Sequence, residues 1–154
     1  MAAPTLYEWI GGLSAITKLF EAFYRDKVPT DPLVGPVFAR MGPDHVAHVA
    51  AFVAEVLGGP KMYSESLGGH PHMIRKHANR ALSEAQRHRW MQLLLETADE
   101  LGVPSDPEFR SALVSYLEWG TRLAVINSQP GAELGTDAPM PAWGWGEVKG
   151  PYQP

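Results

Sequence analysis

"HPHMIRKHAN", residues 70–79, holds three of the chain's six histidines within eight residues. Histidine is the commonest metal ligand near neutral pH. The stretch therefore reads in three ways: a metal cluster, one useful ligand with two bystanders, or a basic loop. A short helix over 71–79 separates these readings. It would put Met73, Ile74, His77 and Ala81 on one face. Only His77 then stands on an apolar side, flanked by Arg75 and Lys76. His70-Pro71 reads as the turn that launches the helix, and His72 as solvated. A lone histidine on an apolar face is usually a partly buried core residue; the functional alternative is an axial metal ligand.

The surrounding chain narrows the choice. Its 154 residues favour one domain with a real core. Apolar residues make up 45% and charged ones 19%, with a net charge of −4, so no basic excess points to nucleic acid. There is no cysteine, which excludes disulfides, Fe–S clusters, thiolate zinc sites and cysteine nucleophiles. "MAAPTLYEWIGG" lacks the basic and apolar regions of a signal peptide, and no apolar run reaches the ~20 residues of a membrane span. The expectation is a soluble, cytoplasmic protein with no membrane partner.

Helical periodicity dominates. Residues 5–10 read as a short helix ending at Gly11-Gly12. Ile16, Phe20, Phe23 and Tyr24 form one stripe of a helix over 13–28. "PTDPLVGP" (29–36) leaves room for at most a helical turn. The next helix spans 43–57, with Pro43 in its first turn and His45, Val49, Phe52 and Val56 on one face. His48 falls about 60° off that face and reads as solvent-facing. Residues 60–70 read as a loop. Ser83 with Gln86 resembles a capping box opening a helix to about Leu101, whose stripe is Trp90, Leu93, Leu94, Thr97, Ala98 and Leu101. A last helix spans about 107–127, with Leu113, Leu117, Gly120 and Ala124 inward. No segment alternates convincingly, so the class is all-α. Residues 1–127 are expected to form the domain. Residues 128–154, with five prolines, five glycines, Trp143 and Trp145, are expected to form an irregular tail packed on it.

The loose pairs His45/His48 and His70/His72 do not suit a structural zinc site, and no H-E-x-x-H is present. Neither G-x-S-x-G, G-x-G-x-x-G nor a Walker A loop occurs. One apolar-face histidine, a second inward histidine on another helix and an inward Phe-Tyr pair instead describe a pocket for a flat apolar cofactor. Haem iron is often held by a single proximal histidine, with distal polarity deciding the chemistry. Trp90, a donor-only indole, lies 13 residues after His77; taken alone it would be ordinary core.

These residues resemble a known family. "LYEWIGG", "FYRDKVPTDPLVGPVF", "LGGPKMYSESLGGHPHMIRKH" and "RHRWMQLL" are similar to the truncated haemoglobins of group II, over about residues 5–127 and in family order. The resemblance implies a two-over-two helical sandwich around haem b. It implies that His77 is the proximal iron ligand and Tyr24, beside Phe23, the distal tyrosine. Phe38 would pack on the haem, with His45 and Val49 nearest the bound ligand and Trp90 the group's tryptophan. Tyr63, Lys76 and Arg75 would meet the propionates. Many group II members carry tyrosine where Phe38 stands and a small residue where His45 stands. The difference shifts the distal hydrogen-bond network toward His45 and opens the option of His45 binding iron directly.

The implied function is reversible binding of dioxygen, or of CO or NO, at a His77-ligated iron, with Tyr24, His45 and Trp90 as distal donors. The alternative is a peroxidase or nitric oxide dioxygenase on the same haem, which needs a reductase partner. A sensor or a haem-free helical module is the third class. Either a monomer or a homodimer fits.

Overall fold

The computed structural model describes residues 2–154. Seven α-helices carry the described residues: α1 (Leu6–Ile10), α2 (Gly12–Glu21), α3 (His45–Val56), α4 (Met62–Ser66), α5 (Gly69–His77), α6 (Glu84–Glu100) and α7 (Pro107–Ser128). No strand occurs among the described residues. Helix α2 packs on α3, the segment Ala22–Lys27 that continues α2 packs on α6, α6 packs on α7, and α5 lies against α7. That is two helices over two, with the aromatic core of Phe20, Phe23, Tyr24 and Phe52 enclosed.

Local chemistry sets most boundaries. In α1, Thr5 and Glu8 form a capping box, each side chain satisfying the other's backbone N–H at 3.0 Å. Gly11 then takes φ 111°, a left-handed value that an L side chain resists, and turns the chain into α2. The expected box at α6 is present: the Gln86 amide donates to Ser83 Oγ (3.1 Å) and the Ser83 amide to Gln86 Oε1 (2.9 Å). Asp106 caps α7 ahead of Pro107.

Other details depart from the periodic reading. The helix read as 13–28 changes character at Ala22, where six residues, Ala22–Lys27, form a π-helical segment closed by a Val28 N–H to Phe23 carbonyl bond. Such bulges recur at functional sites, and Phe23 and Tyr24 sit on this one. Helix α3 starts at His45, leaving Pro43 and Asp44 in a turn. The stretch read as loop 60–70 contains α4, whose Ser64 amide donates to the buried Glu55 carboxylate at 2.9 Å. Helix α5 begins at Gly69, two residues earlier than expected, and ends at His77. Ala81 leaves the helical face assigned to it: it is exposed, with φ 50°. Leu101 is half-exposed at the α6 C-terminus rather than inward.

Residues after Ser128 run without regular structure apart from a short 3-10 turn, Gly146–Val148. They lie on the body. The Trp143 amide donates to the Val56 carbonyl (2.8 Å), and the Trp145 indole N–H donates to the Pro4 carbonyl (2.7 Å).

Candidate functional site

The two helix pairs and α5 enclose a cavity of about 690 Å³, within the range of small-molecule and cofactor sites. The π segment contributes Tyr24, the turn after it Phe38, α3 His45 and Val49, α5 His77, and α6 Trp90. Six residues from separate parts of the sequence thus line one space.

His77 has a defined ring state. Its Nδ1 lies 2.9 Å from the Met73 carbonyl, one turn back on α5. A carbonyl only accepts, so Nδ1 carries the proton and donates it. Nε2 keeps its lone pair, and burial holds the imidazole below its ordinary titration range, neutral at pH 7. This is the state a metal-ligating histidine requires.

On another wall, Tyr24 and His45 stand edge to face. Phe38 touches both, with ring centroids 5.1 Å from Tyr24 and 5.6 Å from His45. Burial pushes the Tyr24 phenol well above its usual range, with the Trp90 indole N–H offsetting a little. Tyr24 therefore stays a protonated donor. Trp90 is held by Phe23, centroids 5.3 Å apart and nearly perpendicular. His45 is pushed down to about 4, first by burial and then by the positive charges of Arg80 and Lys76. Its Nε2 is buried with no hydrogen-bond partner among the described residues. A buried polar atom left this way is costly unless something else satisfies it.

The mouth is mainly cationic. Arg40, Lys76 and Arg80 line it, with Asp44 the one carboxylate on the rim among the described residues. His48, expected in solvent, lines this rim and is only partly exposed. Lys76 reaches the cavity; Arg75 is exposed and is not part of its lining. Tyr63 is almost fully buried at the back, its ring 4.9 Å from Phe52 and its phenol pushed up to about 12 by burial. Three lining residues carried no sequence signal for the site. Arg80 reaches it because the chain turns sharply after α5, while His70 and Trp119 reach it through packing against each other at 6.0 Å.

The family model for bacterial-like globins matches residues 5–119, from the α1 cap to Trp119. The chain belongs to the bacterial-like globin family. Group 2 truncated hemoglobin YjbI of Bacillus subtilis is 28% identical over 123 residues, 80% of this chain and 89% of that protein. The hemoglobin of the thermophilic phototrophic bacterium Chloroflexus aurantiacus is 30% identical, with a TM-score of 0.68 over 79% of this globin and 97% of that chain. The group II truncated hemoglobin of Bacillus anthracis superposes with a TM-score of 0.73 over 85% of this globin and 96% of that chain; at 24% identity that likeness concerns the fold. The resemblance read from the residues holds, and the all-α two-over-two sandwich is the truncated-globin fold.

Membership in the globins implies haem binding, and the cavity of this globin fits the group. It offers an apolar slot, a neutral histidine with a free Nε2 on α5, an orphaned Nε2 on α3 and cations at the mouth for propionate carboxylates. No group of three or more histidine or acidic side chains among the described residues is arranged to hold a free metal ion instead. No helix among them is long and apolar enough to cross a membrane.

Proposed function

We propose that this globin holds haem b through His77 and binds dioxygen reversibly, with Tyr24, His45 and Trp90 as distal donors. Bound ferrous haem supplies an iron atom with one position open to a diatomic ligand such as dioxygen, CO or NO. The protein supplies the rest. His77 donates the Nε2 lone pair, its ring oriented by the Met73 carbonyl. Lys76, Arg80 and Arg40 neutralise carboxylates at the mouth. Phe38, Val49 and Phe52 keep the slot apolar and exclude water.

The observation that carries this reading is the orphaned Nε2 of His45 beside the protonated Tyr24 hydroxyl. Two polar groups are buried together at a desolvation cost and aimed at a cavity that a single neutral histidine enters from another helix. Hydrogen-bond donors in such a dry pocket act more strongly than in water. Because His45 is neutral at pH 7, its Nε2 would also be available to hold the haem as a second histidine ligand.

Optical spectra of the hemin-reconstituted protein test the proposal. A Soret band that shifts on reduction and again on CO addition is expected. A ferrous form that takes up dioxygen and releases it unchanged when oxygen is removed is expected as well. A protein that gives no Soret band with hemin, or that is consumed on oxygen exposure, would refute it.

A further inference from the structure

Helix α5 is held at its start, and the turn after its end is held too, by residues from Ser128 onward, beyond the stretch matched by the family model. At its start, the buried His70 ring places Nδ1 3.1 Å from the Pro139 carbonyl, to which it donates. The same ring lies between Phe52 (6.1 Å) and Trp119 (6.0 Å). Four residues after Pro139, Trp143 packs on Trp119 and Tyr116, centroids 5.5 Å from each. All three of these contacts, His70, Trp119 and Tyr116, belong to the cavity wall.

At the far end, the two residues Asn79 and Ala81 take φ values of 61° and 50°. Alanine resists that left-handed region, so something must hold it there. Ser128 does. The Ala81 amide donates to its carbonyl (2.7 Å), the Leu82 amide donates to its hydroxyl (3.0 Å), and Gln129 Nε2 donates to the Leu82 carbonyl (2.9 Å). Ser128 is itself completely buried.

A nine-residue helix has little stability of its own. His70 and His77 are seven residues apart, two turns along one side of α5, and both line the cavity. We propose that segment 128–154 is a clamp that sets the position of α5, with His70 and Ser128 as positioning residues for His77 and so for haem retention. The proposal rests on the haem-binding reading. It differs from a tail that merely covers apolar surface, because one anchor bonds the first turn of α5 and the other bonds the turn that follows its last residue, His77.

Full-length His70→Phe and Ser128→Ala variants test it, alone and combined, in the hemin-loaded protein. His70→Phe keeps the ring packing and removes the donor. Two readouts apply: hydrogen exchange of the α5 amides against those of α6, and hemin transfer to excess apomyoglobin. Each variant is expected to speed α5 exchange and hemin transfer about tenfold, the worth of one buried hydrogen bond, with α6 unchanged. His70→Gln, which restores a donor, is expected to recover most of the loss. Exchange that rises equally across the chain, or hemin transfer that does not change, would overturn the clamp. A wild-type chain that takes up no hemin would instead sink the haem reading, and α5 exchange in the protein as purified would still decide the clamp.

Discussion

The His45 imidazole meets the Tyr24 phenol at a right angle, ring centroids 4.6 Å apart. One ring comes from a π segment and the other from the first residue of α3. The contact holds both rings in place without using the Tyr24 hydroxyl or His45 Nε2, so those atoms remain for a ligand. If they serve one, Tyr24→Phe and Trp90→Phe should each raise the dioxygen dissociation rate by about tenfold, the worth of one hydrogen bond. The double variant should fall short of the product, because Trp90 and Tyr24 interact. Stopped-flow displacement of dioxygen by CO measures both rates. Unchanged rates would remove these residues from ligand stabilisation.

If His77 holds the haem, His77→Gly should remove that ligand while leaving a space the size of imidazole. Hemin should then bind weakly with an altered Soret band, and added imidazole should restore the wild-type ferrous and CO spectra. A glycine variant with a wild-type spectrum in the absence of imidazole would mean that another residue holds the iron.

The depressed His45 value makes stability depend on pH. Above about 6.5, unfolded histidine is neutral, and so is His45 in the fold. As pH falls from about 6.5 toward 4, the unfolded chain takes up a proton that the buried site refuses, so stability drops. Below about 4 both states are protonated and the penalty is constant. Burial lowers His70, His72 and His77 in the same direction, so they add to the slope. Urea midpoints of the haem-free chain should fall between pH 7 and pH 5, and less steeply in His45→Leu. Equal slopes for the two proteins would contradict the assignment.

Asp31 is buried in the turn that leads to Phe38. Its Oδ2 accepts the amides of Val34 (2.8 Å) and Leu33 (3.1 Å), and its Oδ1 accepts from Arg89 on α6 (2.6 Å). Asp31→Ala would strand two amides and a cation at once. A loss of about 3 kcal/mol in unfolding free energy is expected, with Asp31→Asn intermediate. Chemical denaturation measures it, and a change within 0.5 kcal/mol, the usual range for an uncoupled surface site, would show that the turn does not depend on this carboxylate.

Gly59 and Gly42 give a matched pair. A Cβ at Gly59 would come within 2.6 Å of the Tyr7 ring and 2.8 Å of the Ala54 carbonyl, whereas at Gly42 it would meet nothing within 4 Å. Gly59→Ala should destabilise by about 2 kcal/mol and Gly42→Ala should be near neutral. Thermal melts of the two variants side by side check the contrast.

The helical stripe of Ile16, Phe20, Phe23 and Tyr24 was legible because burial follows the helical period, and all four are buried. The Ser83–Gln86 box and the start at Pro107 were legible because caps use local hydrogen bonds. The apolar side of His77 was legible for the same periodic reason. Helix α4 was hidden because five residues are too few to show a period, and its Ser64 bonds to Glu55, nine residues away. The π segment was hidden because its register shift leaves no mark on side-chain type.

Sequence alone therefore determined the class and the main helices, both properties of local chemistry and helical period, and through the family resemblance it put forward His77 as the proximal candidate. Only the tertiary structure decided that His48 borders the cavity, that His70 is a buried donor to Pro139, and that Ala81 is bent into a left-handed turn against Ser128. Those three depend on contacts with distant parts of the chain, and no periodic pattern within one helix encodes a hydrogen bond made 47 or 69 residues away.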